Sequence, residues 1–278
     1  MEFKFSNRIS GVQGSAIREI FKYGNRPEVI SLAGGNPAPE LFPSKEFAEI
    51  LAEILAKKPT EALQYGVTEG YAPLREYVKK FIAERENIGR DFDETIIVSG
   101  GQQGIDLATK VLVNEGDAVI VEEPSFIGAL NAFRAYGAKL VGVPVKNDGM
   151  DIDVLEQKLN ETENVKIIYT IPTFQNPSGV TMSEEKRKKL YALAKKHGVV
   201  IIEDNPYGEL TFDGSKVPTI KSGDDEGVVL YSGSFSKILT PGIRVGYITG
   251  HRGGNVQNSG CQAGRGRAYA HAHADDVL

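Results

Sequence analysis

Glu184-Glu-Lys-Arg-Lys-Lys-Leu-Tyr-Ala-Leu-Ala-Lys-Lys-His-Gly-Val-Val-Ile-Ile-Glu-Asp204 decides the fold. Its first part, Glu184–His197, carries spaced apolar residues among charges and reads as an amphipathic helix. Val199–Glu203 is a short apolar run that reads as a buried strand, and Asp204 stands at its end. The same alternation extends in both directions. Upstream, Val165–Ile171 reads as a strand and Asp153–Asn160 as a helix. Before these come a strand at Lys139–Pro144, a helix at Phe126–Tyr136 and a strand at Ala118–Glu122. Ile96-Ile-Val-Ser99 is a strand that breaks into Gly100-Gly101 and then a helix to about Asn114, and Val228–Ser232 is a strand downstream. Short apolar strands separated by helices imply βαβ units, a mostly parallel sheet and a three-layer α/β/α architecture.

Residues 1–40 read as an N-terminal arm with a short helical stretch near Ser15–Tyr23. Residues 41–251 form the large domain, starting with helices at Ser44–Lys57, with Ser44 as cap, and at Tyr71–Glu86, with Pro73 near its start. The 278 residues suffice for a sizeable core. A hydrophobic content of 41%, a charged content of 25% and a net charge of −5 describe a soluble globular protein, and offer no field for nucleic acid or an anionic membrane. No apolar run has signal-peptide or membrane-spanning character. The single cysteine, Cys261, excludes an internal disulfide, and the four histidines offer no helical metal-ligand pair. Together these point to a cytoplasmic α/β protein.

The segments with chemistry lie where strands end. Tyr231-Ser-Gly-Ser-Phe-Ser-Lys237, followed by Pro241-Gly-Ile-Arg244, sets a lysine after a hydroxyl-bearing turn with an arginine beyond it. A lysine whose pKa is lowered traps carbonyls as a Schiff base, and hydroxyls and arginine suit a phosphate. Ser99-Gly100-Gly101-Gln102-Gln103-Gly104 joins a strand to a helix, where free amides form an anion site. Asp204, with Tyr207 three residues on, sits where open α/β sheets bind ligands, and can pair with a protonated ring nitrogen. Phe174-Gln-Asn176-Pro-Ser-Gly179 offers Asn176 as a hydrogen-bond donor to a phenolate oxygen. Pro124-Ser125-Phe126 offers an aromatic face. Each piece also has a plain reading: a solvated lysine in a turn, a Gly-Gly turn, a carboxylate capping Asn205-Pro206, a Pro/Gly loop and a core phenylalanine.

In order and spacing these segments resemble the large domain of the fold-type I pyridoxal-phosphate enzymes, aminotransferase class I/II. Leu32-Ala-Gly-Gly-Asn-Pro-Ala-Pro-Glu-Leu-Phe-Pro43 and Gln64-Tyr65-Gly-Val-Thr-Glu-Gly-Tyr-Ala-Pro-Leu-Arg75 are most similar to the 2-aminoadipate aminotransferase branch. Cofactor-binding domains of aminotransferase-like transcription regulators share many of these features. The similarity spans about residues 5–251. It implies that Lys237 binds pyridoxal 5'-phosphate as a Schiff base and shuttles a proton at the substrate Cα. Asp204 would pair with the ring nitrogen, Asn176 and Tyr207 with the phenolate oxygen, and Phe126 would stack on the ring. Gly101, Gln102, Ser234, Ser236 and Arg244 would hold the phosphate. Tyr65 would reach the phosphate of a neighbouring subunit in a homodimer, and Gly35 and Asn176 would touch an α-amino acid or 2-oxo acid substrate.

The chain departs from this pattern at its end. The small C-terminal domain, with the arginine that grips the substrate carboxylate, is missing. Residues 252–278 read as an aberrant, disordered tail rich in Gly, Ala, Arg, Asn and His. Synonymous codons for Gly260–His271 read one base out of frame give Val-Ala-Lys-Gln-Gly-Glu-Asp-Val-His-Thr-His-Met, which resembles the family's usual continuation and points to a frameshift. The expected function is amino-group transfer, with this truncated form expected to be inactive. The alternatives are a cofactor-binding regulatory domain, against which stand the lack of DNA-binding helices and of a basic patch, and an inert gene fragment.

Overall fold

Helix α7 (Glu184–His197) shows how locally the fold is written. The Ser183 hydroxyl accepts from the Lys186 amide at 3.4 Å, Glu184 and Glu185 lie in the first turn, and Lys195, Lys196 and His197 lie in the last. These choices satisfy a free amide and complement the helix dipole. Gly198 then ends the helix at φ 65°, a left-handed conformation that costs a residue without a Cβ little. Leu190, Leu193 and Ala194 turn inward; full burial of a leucine contributes about 1.5–3 kcal/mol.

The computed structural model describes Ser6, residues 28–30 and residues 35–252. The helix near Ser15–Tyr23 and the tail beyond Arg252 lie outside the described residues. In chain order the regular elements are α1 (Ser44–Lys57), α2 (Pro59–Leu63), α3 (Ala72–Glu86), β1 (Asp93–Val98), α4 (Gly101–Leu112), β2 (Ala118–Glu123), α5 (Ile127–Ala135), β3 (Lys139–Lys146), β4 (Gly149–Met150), α6 (Ile152–Glu161), β5 (Val165–Thr170), α7, β6 (Val200–Asp204), β7 (Val229–Ser234) and β8 (Gly246–His251). Among the described residues these strands form one eight-stranded sheet of order β1-β8-β7-β6-β5-β2-β3-β4.

The ladders β7·β6, β6·β5, β5·β2 and β2·β3 are parallel, while β8 runs antiparallel to both β1 and β7. The expected mostly parallel sheet is present, with β8 as an inversion that the strand readings above do not include. Alternate residues along each central strand enter different cores. Val119, Val121, Ile167, Tyr169, Ile202 and Leu230 join Ile105, Ala108, Ala129 and Phe133 of α4 and α5 on one face. Ile120, Ile168, Ile201 and Val229 join Leu155, Leu159, Leu190 and Leu193 of α6 and α7 on the other. Residues two apart share a face, so burial on both faces explains the unbroken apolar runs.

Ser44 corrects one expectation. It is the first residue of α1 rather than its cap, Pro43 occupies the cap position, and the Ser44 hydroxyl donates to the Phe42 carbonyl at 3.2 Å. Pro73 lies in the first turn of α3, where its missing N–H costs nothing. Among the described residues no helix is long and apolar enough to cross a membrane, and no cluster of three or more His, Cys, Asp or Glu could hold a metal ion.

Candidate active site

The parallel strands and β1 deliver their C-terminal ends to one edge of the sheet, where such folds keep their ligand crevice. Asp204 ends β6 on the face shared with Ile202, and is 6% exposed. Its Oδ2 accepts a hydrogen bond from the Tyr169 hydroxyl at 2.8 Å, a partner that the sequence reading missed. Burial pushes the Asp204 carboxyl up to about 6, with the Tyr169 bond opposing. Asp204 is therefore no exposed turn cap. It is a buried acid whose neighbour is a neutral donor, so a cationic N–H at the site would stabilise its charged form.

Gly100 and Gly101 carry the start of α4 over this acid. A Cβ on Gly101 would stand 3.4 Å from the Ser232 Oγ and 3.8 Å from the Asp204 Oδ1, and one on Gly100 would strike the Arg244 guanidinium. Gly100 also has φ 77°. The missing side chains let backbone amides, acid and guanidinium converge. Arg244 donates from Nη2 to the Ser99 carbonyl at 3.1 Å and from Nη1 to the Pro241 carbonyl at 3.5 Å. Five N–H donors on a guanidinium leave more for an anion. The Ser234 hydroxyl donates to that of Ser236 at 2.9 Å, and the Ser236 amide donates back to Ser234 Oγ at 3.1 Å.

Lys237 follows directly and is partly buried; its Nζ donates to the Gly35 carbonyl at 2.9 Å. Burial lowers the pKa of its amine, which favours the neutral nucleophile. Asn176 donates from Nδ2 to the Tyr207 hydroxyl at 3.4 Å, and burial raises the Tyr207 pKa. Gln102 donates from Nε2 to the Gly128 carbonyl at 3.0 Å, and Gly128 itself lies against the Phe126 ring. Tyr65 stands apart: it is 95% exposed and lines a cavity of about 850 Å³ with α1 and α2 rather than this cradle. Gly35 approaches the site through the Lys237 contact, although Leu32, Ala33 and Gly34 of the same motif lie outside the described residues.

Two observations fit a phosphorylated pyridine: the buried Asp204 carboxyl, able to pair with a ring N–H, and a cradle of helix-start amides, paired hydroxyls and an arginine, the donor set that a phosphate needs.

Three buried carboxyls set a pH signature. Burial pushes Glu122 and Glu203 up to about 7 and Asp204 to about 6. Carboxyls ionise near 4 in an unfolded chain, so these groups bind protons more tightly when folded. Their contribution to stability is complete below about pH 4 and is lost as pH rises through 6–7. The urea midpoint of the cofactor-free protein is expected to fall between pH 5 and pH 8. A midpoint that rises over this interval would contradict the assignment.

The family described as Aminotransferase class I and II matches residues 27–270. The aromatic-amino-acid aminotransferase 1 of Thermococcus litoralis is 48% identical over 248 residues, covering 88% of this chain and 60% of that protein. The 2-aminoadipate transaminase of Thermus thermophilus is 42% identical over 250 residues, covering 89% of this chain and 61% of that protein. This chain thus spans about three fifths of the length of these relatives. The crystal structure of Pyrococcus horikoshii kynurenine aminotransferase, in complex with PMP, KYN as substrates and KYA as products, superposes with a TM-score of 0.87 at 40% identity, over 99% of this chain and 66% of that one. With family match, relatives and superposed fold in accord, the chain belongs to the aminotransferase class I and II family.

Proposed function

We propose that residues 41–251 are the cofactor-binding domain of a pyridoxal-phosphate-dependent aminotransferase, which moves an amino group between an α-amino acid and a 2-oxo acid. The observation that carries this reading is the convergence of Asp204, the Gly100–Gly101 turn and Arg244 at one strand edge. When bound, the cofactor supplies a carbonyl for covalent attachment and an electron-withdrawing ring. The Gly101 and Gln102 amides, Ser234, Ser236 and Arg244 would hold its phosphate. Asp204 would hold the proton on the ring nitrogen, and burial makes that pairing strong. Asn176 and Tyr207 would orient the phenolic oxygen, and Phe126 would cover one ring face. Lys237 Nζ, whose pKa burial lowers, would accept the proton from the substrate Cα in its neutral form and return it. Gly35, held at Lys237, would form part of the substrate wall together with Asn176.

A homodimer belongs to the same reading. Tyr65 projects from an apolar surface bearing Ile50, Leu51 and Ile54, and would serve a partner's phosphate instead of its own. A cytoplasmic location is supported by the single cysteine, which leaves no internal disulfide. The relatives' names make aromatic amino acids and 2-aminoadipate the first donors to test.

Titrating the protein with pyridoxal phosphate should produce a visible absorption band of the bound cofactor. Arg244→Ala should raise the cofactor Kd roughly 10–100-fold, the loss expected for charge-assisted hydrogen bonds. A protein without such a band, or an Arg244→Ala variant that binds as well as the parent, would refute the reading.

A further inference from the structure

The sheet changes its direction of winding at β2, with β3 on one side and β5 on the other. The connection after β2 enters α5 on one face, and the connection after β5 leads to α7 on the opposite face. A crevice therefore opens between two diverging connections. These same connections carry Phe126 and Asn176. The β2·β5 ladder ends at Val121↔Tyr169, so backbone pairing no longer ties the strands where the two residues leave the sheet.

Side chains continue the tie. Glu122 Oε1 accepts from the Thr170 hydroxyl at 2.7 Å, and Oε2 accepts from the Ile171 amide at 3.1 Å and from Gln175 Nε2 at 3.2 Å. The same Gln175 Nε2 donates to the Pro124 carbonyl at 2.8 Å, two residues before Phe126. Gln175 Oε1 accepts from the Ser178 amide at 2.8 Å, and its backbone pairs with Val180 and Gly179 at 2.8 and 2.5 Å. Glu122 and Gln175 are each 2% exposed. They form a buried bridge across the crevice, and Asn176 is the residue next to its far pier.

We propose that Glu122 is a positioning residue for the cofactor ring: through Ile171 and Gln175 it fixes Asn176, and through Pro124 it fixes Phe126, in one mutual geometry. The proposal rests on the cofactor reading above. A neutral side chain can hold all three partners, because one oxygen accepts from Ile171 and Gln175 while the other terminal atom donates to the Thr170 hydroxyl. Burial, which pushes the Glu122 carboxyl up to about 7, favours this neutral form. Glu122→Gln therefore preserves the bridge, whereas Glu122→Ala removes it.

The test uses this chain with pyridoxal phosphate, and the cofactor-free chain in hydrogen exchange. Glu122→Ala is expected to raise the cofactor Kd about tenfold, the fold-change of one lost hydrogen bond. It should also move the pH midpoint of the bound-cofactor band in the direction given by Asn176→Ala, and speed amide exchange over residues 171–182 without cofactor. Glu122→Gln should stay within about twofold of the parent on all counts. If Glu122→Ala does not fold, Gln175→Met cuts the bridge from its other end at similar volume and should shift the same midpoint. Faster exchange in Glu122→Ala with an unchanged Kd and band midpoint would reduce Glu122 to a structural role and overturn the proposal. A parent chain with no band would instead sink the cofactor reading, whatever the exchange shows, and the ring-positioning role would fall with it.

Discussion

Lys237→Ala is expected to abolish the visible band of bound pyridoxal phosphate, because the amine proposed to form the Schiff base is gone. Two functions are assigned to one amine, covalent attachment and proton transfer, and alanine performs neither. The expectation follows from its setting. Burial alone lowers the pKa of the amine, and its hydrogen-bond partner is the neutral Gly35 carbonyl. Lys237→Arg separates the role of charge from that of the nucleophile. A guanidinium keeps the cation and can still reach a phosphate, but it cannot be deprotonated at working pH, so this variant should bind cofactor without a band. A band that persists in Lys237→Ala would move the chemistry to another residue.

Lys221→Ala is expected to destabilise the fold by about 3–5 kcal/mol at neutral pH, the cost of stranding buried charges. Lys221 Nζ pairs with Asp93 Oδ1 at 2.7 Å and Asp224 Oδ2 at 2.8 Å, and none of the three side chains is more than 4% exposed. Burial raises the pKa of Asp224, yet Lys221 and the backbone amides of Gly227 and Val229 hold it below its ordinary value. Such a depressed carboxyl stabilises the fold above pH about 4 and loses that contribution as pH falls. The damage should therefore shrink in acid, where Asp224 loses its charge. Denaturant midpoints of parent and variant at pH 7 and pH 4 measure this. An equal loss at both would mean that packing, not charge, is what Lys221 supplies. Against a typical total of about 5–15 kcal/mol, the neutral-pH loss is a large share of stability.

The elements most legible in the sequence are those buried on both faces or capped by their own residues. Val165–Thr170 and Glu184–His197 stand within a residue of where periodicity puts them, since burial on two faces writes an unbroken apolar run and α7 carries its own stop signal. β8 is harder to read because glycines bracket it. Gly246 looks like a break, but a Cβ there would come within 2.8 Å of the Gly100 carbonyl carbon and 2.9 Å of the Gly101 amide nitrogen. Its meaning lies in a contact with a distant turn, which no local pattern records. The site divides likewise. Lys237, Asp204 and Arg244 announce themselves at strand ends and turns. Tyr169 reads as one more apolar strand residue until its hydroxyl is found on Asp204. Glu122 and Glu123 are alike in sequence, and only the register of β2 decides which one turns inward.

The place of β8 between β1 and β7 has a consequence for the growing polypeptide. Among the described residues β1 finds its sheet partner only in β8, and the turn after β1 meets Arg244 across a separation of 145 residues. At ribosomal speeds of about 5–20 residues per second, that stretch takes roughly 7–30 s to emerge. Throughout this interval β1 has no hydrogen-bonding neighbour in its native sheet, and an open strand edge invites pairing with other chains. The turn at Ser99–Gly101, proposed to hold a phosphate, is likewise unfinished until Arg244 arrives. Synthesis order thus makes the proposed anion cradle a late structure, completed by the same segment that shields the first strand.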